Sequence, residues 1–432
     1  MIDYIKQLFT FEDYRKRLIY TLFMFAIYRL GSHIPLPGID TTALEDFFKS
    51  FQGTIFYLYD IFSGGNLGRM TLFALGVMPY ISASIMMQLL TVAIPELQRL
   101  AKEEGDYGRY KINQYTRYLT VFVAFVQSLG IAFWLQGQVS PRGFPIVPEG
   151  GFLFILTTVI ALVSSTMFLV WVGDRITEKG IGNGMSLLIF AGIVAGFPSA
   201  FIRFFDMLRN GDVSPFAFVG AIIFILIVIV GIVYIQEAER RVPIQYPRRQ
   251  VGRQEIVGGS TYLPIKLNPS GVIPIIFAQS LLLIPSTVLG FINHPIAKLL
   301  HDAFNPTTLF YNFIYILFIV FFTYFYTAVI INPVDVADNL KKAGAFVPGV
   351  RPGQDTQKLL ETIINRLAFV GALFLSAVAI IPIFISLWLN IPFYFGGTTA
   401  LIVVGVALDT LNKLEAQMLQ RRYSTFARRR VR

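Results

Sequence analysis

The residues that could do chemistry in this chain are few, and none of them falls into a catalytic pattern. The 432 residues include 3 His and 0 Cys, so disulfides, thiol chemistry and thiolate metal sites are excluded. His33, His294 and His301 are scattered along the sequence with no cluster of carboxylates beside them, which argues against a metal site. We therefore expect no metal, no cofactor and no enzyme activity.

One glycine-rich segment, residues 180–184, has the spacing of a phosphate-binding loop. It lies between two apolar segments, no soluble strand precedes it, and no lysine follows it at the catalytic position. We reject nucleotide binding and predict a tight turn at the start of a helix. Gly192 and Gly196, a little further on, form a small-xxx-small pair that is predicted to allow close packing.

Ionisable groups are almost missing from the middle of the apolar segments. An ion-coupled transporter usually keeps such groups near the membrane midplane, where ions and charged substrates need partners. Arg29 lies near a segment end, and Asp409 is the main exception. A polar but uncharged interior suits a passage without a fixed ionic site, closed by bulky aliphatic side chains. The ion-coupled secondary transporter remains the alternative function. The uncharged residues that motivate this view are Ser82, Ser84, Gln88, Gln127, Asn268, Pro274, Gln279 and Pro285.

Ten apolar segments, each long enough to cross a bilayer as a helix, account for most of the chain. The composition, 55% hydrophobic and 14% charged, is typical of a membrane protein. We predict an all-α polytopic membrane protein with ten transmembrane helices. The predicted spans are 18–33, 70–94, 115–136, 152–172, 184–202, 216–236, 269–292, 309–331, 364–389 and 397–418.

The positive charge lies mostly on one side of these spans. Of the 36 Lys and Arg residues, the great majority fall in the N-terminus and in every second connection. The positive-inside rule therefore predicts that both termini are cytoplasmic. The opposite set of connections holds only Lys49, Arg69, Arg142, Arg203, Arg209 and Lys298.

The first outward connection, residues 34–69, contains an apolar stretch from Thr54 to Phe62 that is too short to span. Ser63-Gly64-Gly65-Asn66 follows it, and Thr41 is a candidate cap for a short preceding helix. One interpretation is an interfacial helix lying on the bilayer. The other is a movable element on a glycine hinge that folds back into the protein.

Two cytoplasmic connections, residues 237–268 and 332–363, are long, basic and rich in turn residues. The first is predicted to form a β-hairpin from Gln254–Val257 and Ser260–Pro264 around Gly258-Gly259. Ordered basic loops of this size indicate docking surfaces for a large, partly anionic partner. The alternative is that they only set orientation and attract lipid headgroups.

Several runs of this sequence resemble the SecY family of protein-translocation channels. The longest covers the short apolar stretch, the glycine hinge and the second span. Because the runs occur in order along nearly the whole chain, the chain is identified as a member of this family. They are residues 57–94, 111–118, 176–184, 260–264 with 271–274, 338–353 and 392–398.

The resemblance implies two pseudo-symmetric halves, residues 1–213 and 214–432, arranged as a clamshell around an hourglass pore. A ring of aliphatic side chains would close the pore, with a plug of about residues 54–67 below it. A polar cluster would lie at a lateral gate between spans two and three on one side and spans seven and eight on the other. By motif match the ring is Val77, Ile81, Ile189, Ile276 and Ile402; the plug residues are Tyr57, Asp60, Phe62, Gly64 and Gly65; and the gate residues are Ser82, Gln127 and Asn268.

The resemblance also implies partners and a location. The channel would pass secretory preproteins across the bacterial inner membrane and release membrane proteins sideways, after recognising signal sequences. SecE would clamp the halves, SecG would bind peripherally, membrane lipids would surround the channel, and the SecA motor ATPase or the ribosome would dock on the basic loops. The docking residues by this match are Arg248, Arg249, Arg253, Lys341, Lys342 and Arg351.

Overall fold

Helices dominate the computed structural model of the chain. It describes residues 12–49, 60, 63–211, 213–246, 249–251, 254–256, 260–291, 300, 303–305, 308–389 and 397–430. Each of the ten predicted spans overlaps a helix in this part of the chain. These helices are α1 (Glu12–Gly31), α3 (Met78–Ala93), α5 (Gly105–Gln136), α6 (Phe152–Lys179), α7 (Gly184–Asn210), α8 (Pro215–Glu237), α9 (Ile273–Phe291), α10 (Leu309–Ile330), α12 (Gln354–Leu389) and α13 (Gly397–Arg430).

Seven of the described helices are long and apolar enough to cross a bilayer. The number becomes eight if α3 and the following α4 (Pro95–Glu103), which are bent by 105° at their junction, form one broken span. Two of the ten helices, α1 and α9, are not in this count. Charged side chains crowd the first turns of α1, and the apolar part of α9 with described side chains is short, from Ile273 to Leu282. The fold is that of an all-α polytopic membrane protein.

The second span begins later than predicted. The sequence indicated a helix from residue 70, but α3 begins at Met78. The preceding residues form turns, because Met70 and Gly76 adopt left-handed backbone angles, with φ of 44° and 57°. Val77 is the N-cap residue of α3, and Pro79 follows in its first turn. Residues 70–77, which the hydropathy pattern assigned to the helix, therefore form turns that precede α3.

The short helix α2 (Thr41–Lys49) is capped by Asp40 rather than by Thr41. The Asp40 carboxylate accepts the N–H groups of Thr42, at 2.9 Å, and Ala43, at 3.2 Å, and the Thr42 hydroxyl at 2.6 Å. The Thr42 hydroxyl contributes most to lowering the pKa of the Asp40 carboxyl, and the two N–H groups add to it. The acidic residue competes successfully because it can accept all three donors at once.

The long connection after α8 forms paired strands, but the pairing differs from the prediction. β1 (Glu239–Gln245) pairs antiparallel with β4 (Ser260–Lys266), and β2 (Arg249–Val251) pairs with β3 (Gln254–Ile256). Both pairs share one register, with Glu239 opposite Lys266 and Val251 opposite Gln254, as in one long antiparallel hairpin. The predicted pairing of residues 254–257 with 260–264 is wrong, because the longer register buries Val242 and Ile265 against helices.

The glycine-rich segment 180–184 begins a helix, as predicted. The Asn183 side chain accepts the N–H groups of Met185, at 3.1 Å, and Ser186, at 3.3 Å, at the start of α7. Ile181 packs in a small apolar cluster with side chains of α1 and α13. The segment is therefore a helix-capping turn inside a packed contact.

The contacts divide the chain into two compact units. Unit 1 comprises Met1–Val213, Ser280–Thr308 and Val406–Arg432, and unit 2 comprises Ser214–Gln279 and Leu309–Gly405. In unit 1, α5 packs between α3 and α6, and α6 also packs against α1 and α7. In unit 2, α12 packs against α10 and the short α11 (Pro333–Lys342). The expected pseudo-symmetric halves, residues 1–213 and 214–432, stay a prediction.

Candidate functional site

The glycine hinge before α3 is held in a compact turn by Ser63. The Ser63 hydroxyl oxygen accepts the N–H groups of Asn66, at 3.2 Å, and Leu67, at 3.1 Å, in the manner of a helix cap. Ser63 and Asn66 are both buried. Of the predicted plug residues, Asp60, Gly64 and Gly65 are described, whereas Tyr57 and Phe62 lie outside the described residues. The Ser63 hydroxyl thus orders the hinge directly before the turns that lead into α3.

Asp60 closes the turn from its N-terminal side. Its carboxylate accepts the Gly68 N–H at 2.6 Å, and its backbone carbonyl accepts the Gly65 N–H at 2.8 Å and the Ser63 hydroxyl at 2.9 Å. Burial raises the pKa of the Asp60 carboxyl, while the Gly68 N–H and the positive charge of Arg69 oppose the rise. Asp60 therefore binds the two ends of the hinge together.

A buried tyrosine of α1 anchors this hinge to the first span. The Tyr28 hydroxyl donates to the Ser63 carbonyl at 3.1 Å, and the Asn66 amide donates to the Tyr28 oxygen at 3.3 Å and to the Ser63 carbonyl. The Tyr28 ring stacks on Phe73, with centroids 5.8 Å apart. We call Tyr28, Ser63 and Asn66 the hinge latch. Sequence analysis missed Tyr28, because nothing local marks a tyrosine as the partner of a loop 35 residues away.

The hinge also touches α7 through two glycines. A Cβ atom built on Gly64 would lie 2.8 Å from the Gly192 Cα, closer than real atoms approach. A Cβ atom on Gly65 would meet nothing within 4 Å, although both hinge glycines have left-handed φ values, 78° and 79°. Gly192 therefore allows close approach of the hinge, whereas a Cβ on Gly196, its predicted partner, would also meet nothing within 4 Å.

The aliphatic residues predicted to form the ring lie on four helices or their caps. Val77, Ile81 and Ile189 are buried in unit 1, and the Ile81 N–H donates to the Val77 carbonyl at 3.1 Å, which places these two on one side of α3. Ile402 is fully buried and Ile276 partly buried in unit 2. That the five residues form one ring stays a prediction.

The three residues predicted for the lateral gate are divided between the units. Ser82 is buried on α3, and Gln127 lies on α5, which packs against α3. The Gln127 side-chain oxygen is buried and has no hydrogen-bond partner among the described residues. Asn268 is buried in unit 2, where its amide donates to the Gly271 carbonyl at 2.9 Å and its oxygen accepts the Ser270 hydroxyl at 2.9 Å. Their assembly into one polar cluster remains a prediction.

The two long basic connections form one folded body in unit 2. Gln245 and Phe346 exchange two backbone hydrogen bonds, of 2.9 and 3.0 Å, and so join the hairpin to the second connection. The two connections also share an apolar cluster, which we call the loop core. It comprises Val242, Ile265, Ala337, Val347, Leu360 and Ile364.

Three of the predicted docking cations are displayed on this body. Lys341, Lys342 and Arg351 are exposed, and no carboxylate of the described residues forms an ion pair with Arg351. Gly349 and Gly353, with φ of 81° and 108°, fix the turn on either side of Arg351. The Arg351 carbonyl also accepts the Thr356 hydroxyl at 2.9 Å. Arg248, Arg253 and the side chain of Arg249 lie outside the described part of the chain.

The main charged exception in the spans is neutralised locally. Asp409 forms an ion pair with Lys413, one turn further along α13, at 2.7 Å, and both side chains are about half exposed. In the part of the chain that the structure describes, the multi-pass helical fold, the buried hinge and the exposed basic body fit the class of membrane channels that work without a fixed ionic site in their spans. Comparisons with known proteins identify the family within that class.

The sequence profile of the SecY family matches residues 71–411. The chain is 68% identical over 429 residues to the protein translocase subunit SecY of Aquifex aeolicus (strain VF5), an alignment that covers 99% of this chain and 100% of that protein. It is 42% identical to protein translocase subunit SecY of Escherichia coli (strain K12), covering 96% of this chain and 94% of that protein. The chain therefore belongs to the SecY family.

Solved structures support the fold at lower identity. One is described as "The plug domain of the SecY protein stablizes the closed state of the translocation channel and maintains a membrane seal"; it has a TM-score of 0.67 and 18% identity, covering 94% of this chain and 92% of that chain. Another, described as "Sec61 in the Canine ribosome-channel complex from the endoplasmic reticulum", has a TM-score of 0.60 and 18% identity, with the same coverage. The fold of this chain is thus that of known protein-conducting channels.

Proposed function

We propose that this chain is the central, protein-conducting subunit of a protein translocase. It passes unfolded secretory preproteins across the bacterial inner membrane and releases membrane proteins sideways into the bilayer, with both termini in the cytoplasm. The observation that carries the proposal is the 68% identity, over the whole length, to a protein translocase subunit. The chain acts as a conduit and catalyses no reaction itself.

Two elements of unit 1 support the proposed seal. The aliphatic residues Val77, Ile81 and Ile189 leave water no polar partner, which favours closure of a pore by dewetting. The hinge latch holds Ser63 and Gly64 against α1 and α7, which supports a plug that would be anchored at one end. Together with Ile276 and Ile402, these residues would hold the resting channel shut.

The lateral gate would open along Ser82, Gln127 and Asn268, between the two halves of the clamshell. Uncharged polar contacts in membranes are weak, at about 0.6 kcal/mol each on average, and this strength suits a seam that opens for every signal sequence. The buried oxygen of Gln127, which has no hydrogen-bond partner among the described residues, supports the proposal, because such a group favours a partner brought from elsewhere.

The energy for transport would come from partners docked on the cytoplasmic body. The structural relative in a ribosome–channel complex supports a ribosome as one partner. SecA is proposed as the other, and both would contact Lys341, Lys342 and Arg351 together with Arg248, Arg249 and Arg253. SecE would clamp the two halves, and SecG would bind at the periphery.

A vesicle import assay tests this function. The chain is reconstituted with SecE and SecG, and SecA, ATP and an unfolded secretory precursor are added outside. We expect protease-protected precursor only when the chain, SecA and ATP are all present. Import that is independent of the chain, or substitution of a solute gradient for SecA and ATP as the energy source, would favour the ion-coupled transporter instead.

The hinge latch makes one prediction about the resting seal. Tyr28→Phe removes the hydroxyl that bridges Ser63 and Asn66 and keeps the ring that stacks on Phe73. Losing such a hydrogen bond costs about 0.5–1.5 kcal/mol, so the unseated plug should become about 2- to 10-fold more populated. Single-channel recordings in planar bilayers measure this as a higher resting open probability. Tyr14→Phe, at another buried tyrosine of α1, is the matched control, and an equal rise there would rule out the latch.

The gate makes a second prediction. Asn268→Leu removes the amide that serves both its local turn and the proposed seam, and should shift the balance between closed and open forms by about 0.6–1.7 kcal/mol. Import of precursors with weakened signal sequences reports that shift. Ser270→Ala removes one of the two local hydrogen bonds of Asn268, leaves its amide in place, and is the control. If both variants change signal-sequence stringency equally, Asn268 serves its own turn rather than the gate.

A further inference from the structure

A groove in unit 2 lies between the hairpin and the membrane ends of two helices. It encloses about 270 Å³, and its lining is almost wholly apolar. A dry apolar cavity of about 150 Å³ already accepts benzene, so this groove has room for a stretch of hydrocarbon chain. The residues that line it are Leu263, Pro264, Ile265, Lys266, Pro269, Ile330, Ile331, Val336, Leu360 and Ile364.

The groove lies where two predicted spans meet the cytoplasm. Pro269 begins the predicted span 269–292, and Ile330 and Ile331 end the span 309–331. The hairpin and the helix α11 lie on the cytoplasmic side of these ends by the charge distribution along the sequence. A molecule in the groove would therefore have its apolar part beside the hydrocarbon boundary and its polar part at the headgroup level.

The charged side chains around the groove favour an anion. Lys266 is the one charged residue that lines it, and no described carboxylate forms an ion pair with Lys266 or with Arg240 on the neighbouring strand. Glu239 lies directly opposite Lys266 in the sheet, but Arg241 binds the Glu239 carboxylate at 2.7 Å. Lys266 therefore brings a positive charge, without a carboxylate partner among the described residues, to an otherwise apolar groove.

We infer that this groove binds an anionic phospholipid, with an acyl chain against Ile330, Ile331 and Leu360 and the phosphate beside Lys266. Both halves of the ligand find a complement: the chain replaces water on apolar side chains, and the phosphate meets an ammonium group that has no carboxylate partner in the described chain. Basic pockets beside helix ends on the cytoplasmic side are typical sites for anionic headgroups. The bound lipid would fill the space between the cytoplasmic body and the bilayer.

Photolabelling tests the site directly. The full chain is placed in nanodiscs that contain a trace of phosphatidylglycerol with a diazirine on its acyl chain, and labelled peptides are mapped by mass spectrometry. We expect labelling of residues 260–269 and 330–336, and weaker labelling by phosphatidylcholine with the same chain. One surface cation contributes about 1 kcal/mol to anionic lipid binding, so Lys266→Gln should reduce the labelling about fivefold. Lys179→Gln, an exposed lysine of unit 1, should leave it unchanged.

A second pair of variants tests the apolar part of the groove. Ile330→Trp fills the groove, whereas Val329→Trp adds the same side chain at a neighbouring position that does not line it; both residues are 49% exposed. We expect loss of labelling with the first variant and retention with the second. Equal labelling by the two lipids, or insensitivity to both Lys266→Gln and Ile330→Trp, would overturn the inference. Displacement by millimolar inorganic phosphate would do so as well, because it would indicate a free-anion site rather than a lipid.

Discussion

Replacing Gly64 by alanine should open the resting channel to ions far more than replacing Gly65 by alanine. Both glycines have nearly the same left-handed φ, so both substitutions carry the same backbone strain. Only at Gly64 does the new Cβ atom lie 2.8 Å from the Gly192 backbone of α7. Overpacking of this kind typically costs about 1–3 kcal/mol, which would reduce the population of the seated plug about 5- to 150-fold.

Conductance of reconstituted channels in planar bilayers, without SecA or ribosomes, measures this effect. Gly65→Ala is the matched control, because its Cβ atom meets nothing within 4 Å. Gly192→Ala should have an intermediate effect, since its Cβ would lie 3.1 Å from the Tyr28 hydroxyl and 3.5 Å from Gly64. Equal leak in Gly64→Ala and Gly65→Ala would show that the contact with α7 does not seat the plug.

Arg351→Glu should nearly abolish transport driven by SecA while the channel still assembles. The turn between Gly349 and Gly353 presents the Arg351 side chain to solvent, and a guanidinium can bind a carboxylate or phosphate through two parallel hydrogen bonds. Removing one partner of such a charged pair at an interface costs about 2–5 kcal/mol, so import should fall at least about 30-fold. Arg351→Lys should restore it only in part, because an ammonium cannot form the paired contact.

The measurement is the rate of precursor import at saturating SecA, normalised to the amount of channel recovered with SecE and SecG. Lys179→Glu reverses an exposed charge at the end of α6 and should leave the rate close to that of the wild type. Wild-type import by Arg351→Glu, at normal channel levels, would remove Arg351 from the docking surface.

The positions of the spans were predictable, because about 20 consecutive apolar residues have few alternatives to a membrane helix. The start of α3 was not predictable, because a hydropathy pattern does not detect the left-handed turns at Met70 and Gly76. The predicted hairpin pairing was wrong for a related reason. Local turn residues favoured Gly258-Gly259, whereas burial of Val242 and Ile265 in the loop core selects a longer register. Long-range packing decided both cases.

The candidate site, too, was only partly predictable from the sequence. The ring and gate residues came from the resemblance to the SecY family, since an isoleucine such as Ile81 looks like any other core residue in its sequence context. The glycine hinge was visible in the sequence because paired glycines permit turns that other residues avoid. Its anchors, Tyr28 and Gly192, required the structure, because each contacts the hinge across a long separation in the sequence.

Crosslinking of a precursor in transit to the aliphatic ring tests the central claim most directly. A photoreactive amino acid is placed at Ile81, Ile189 or Ile402, and at Phe216 as a control that is 91% exposed on α8. Precursor import is then stalled halfway with a folded domain, in the presence of SecA and ATP. The account predicts crosslinks from all three ring positions and none from Phe216. Import that proceeds without ring crosslinks, or crosslinks that are equally strong at Phe216, would contradict a passage through this chain.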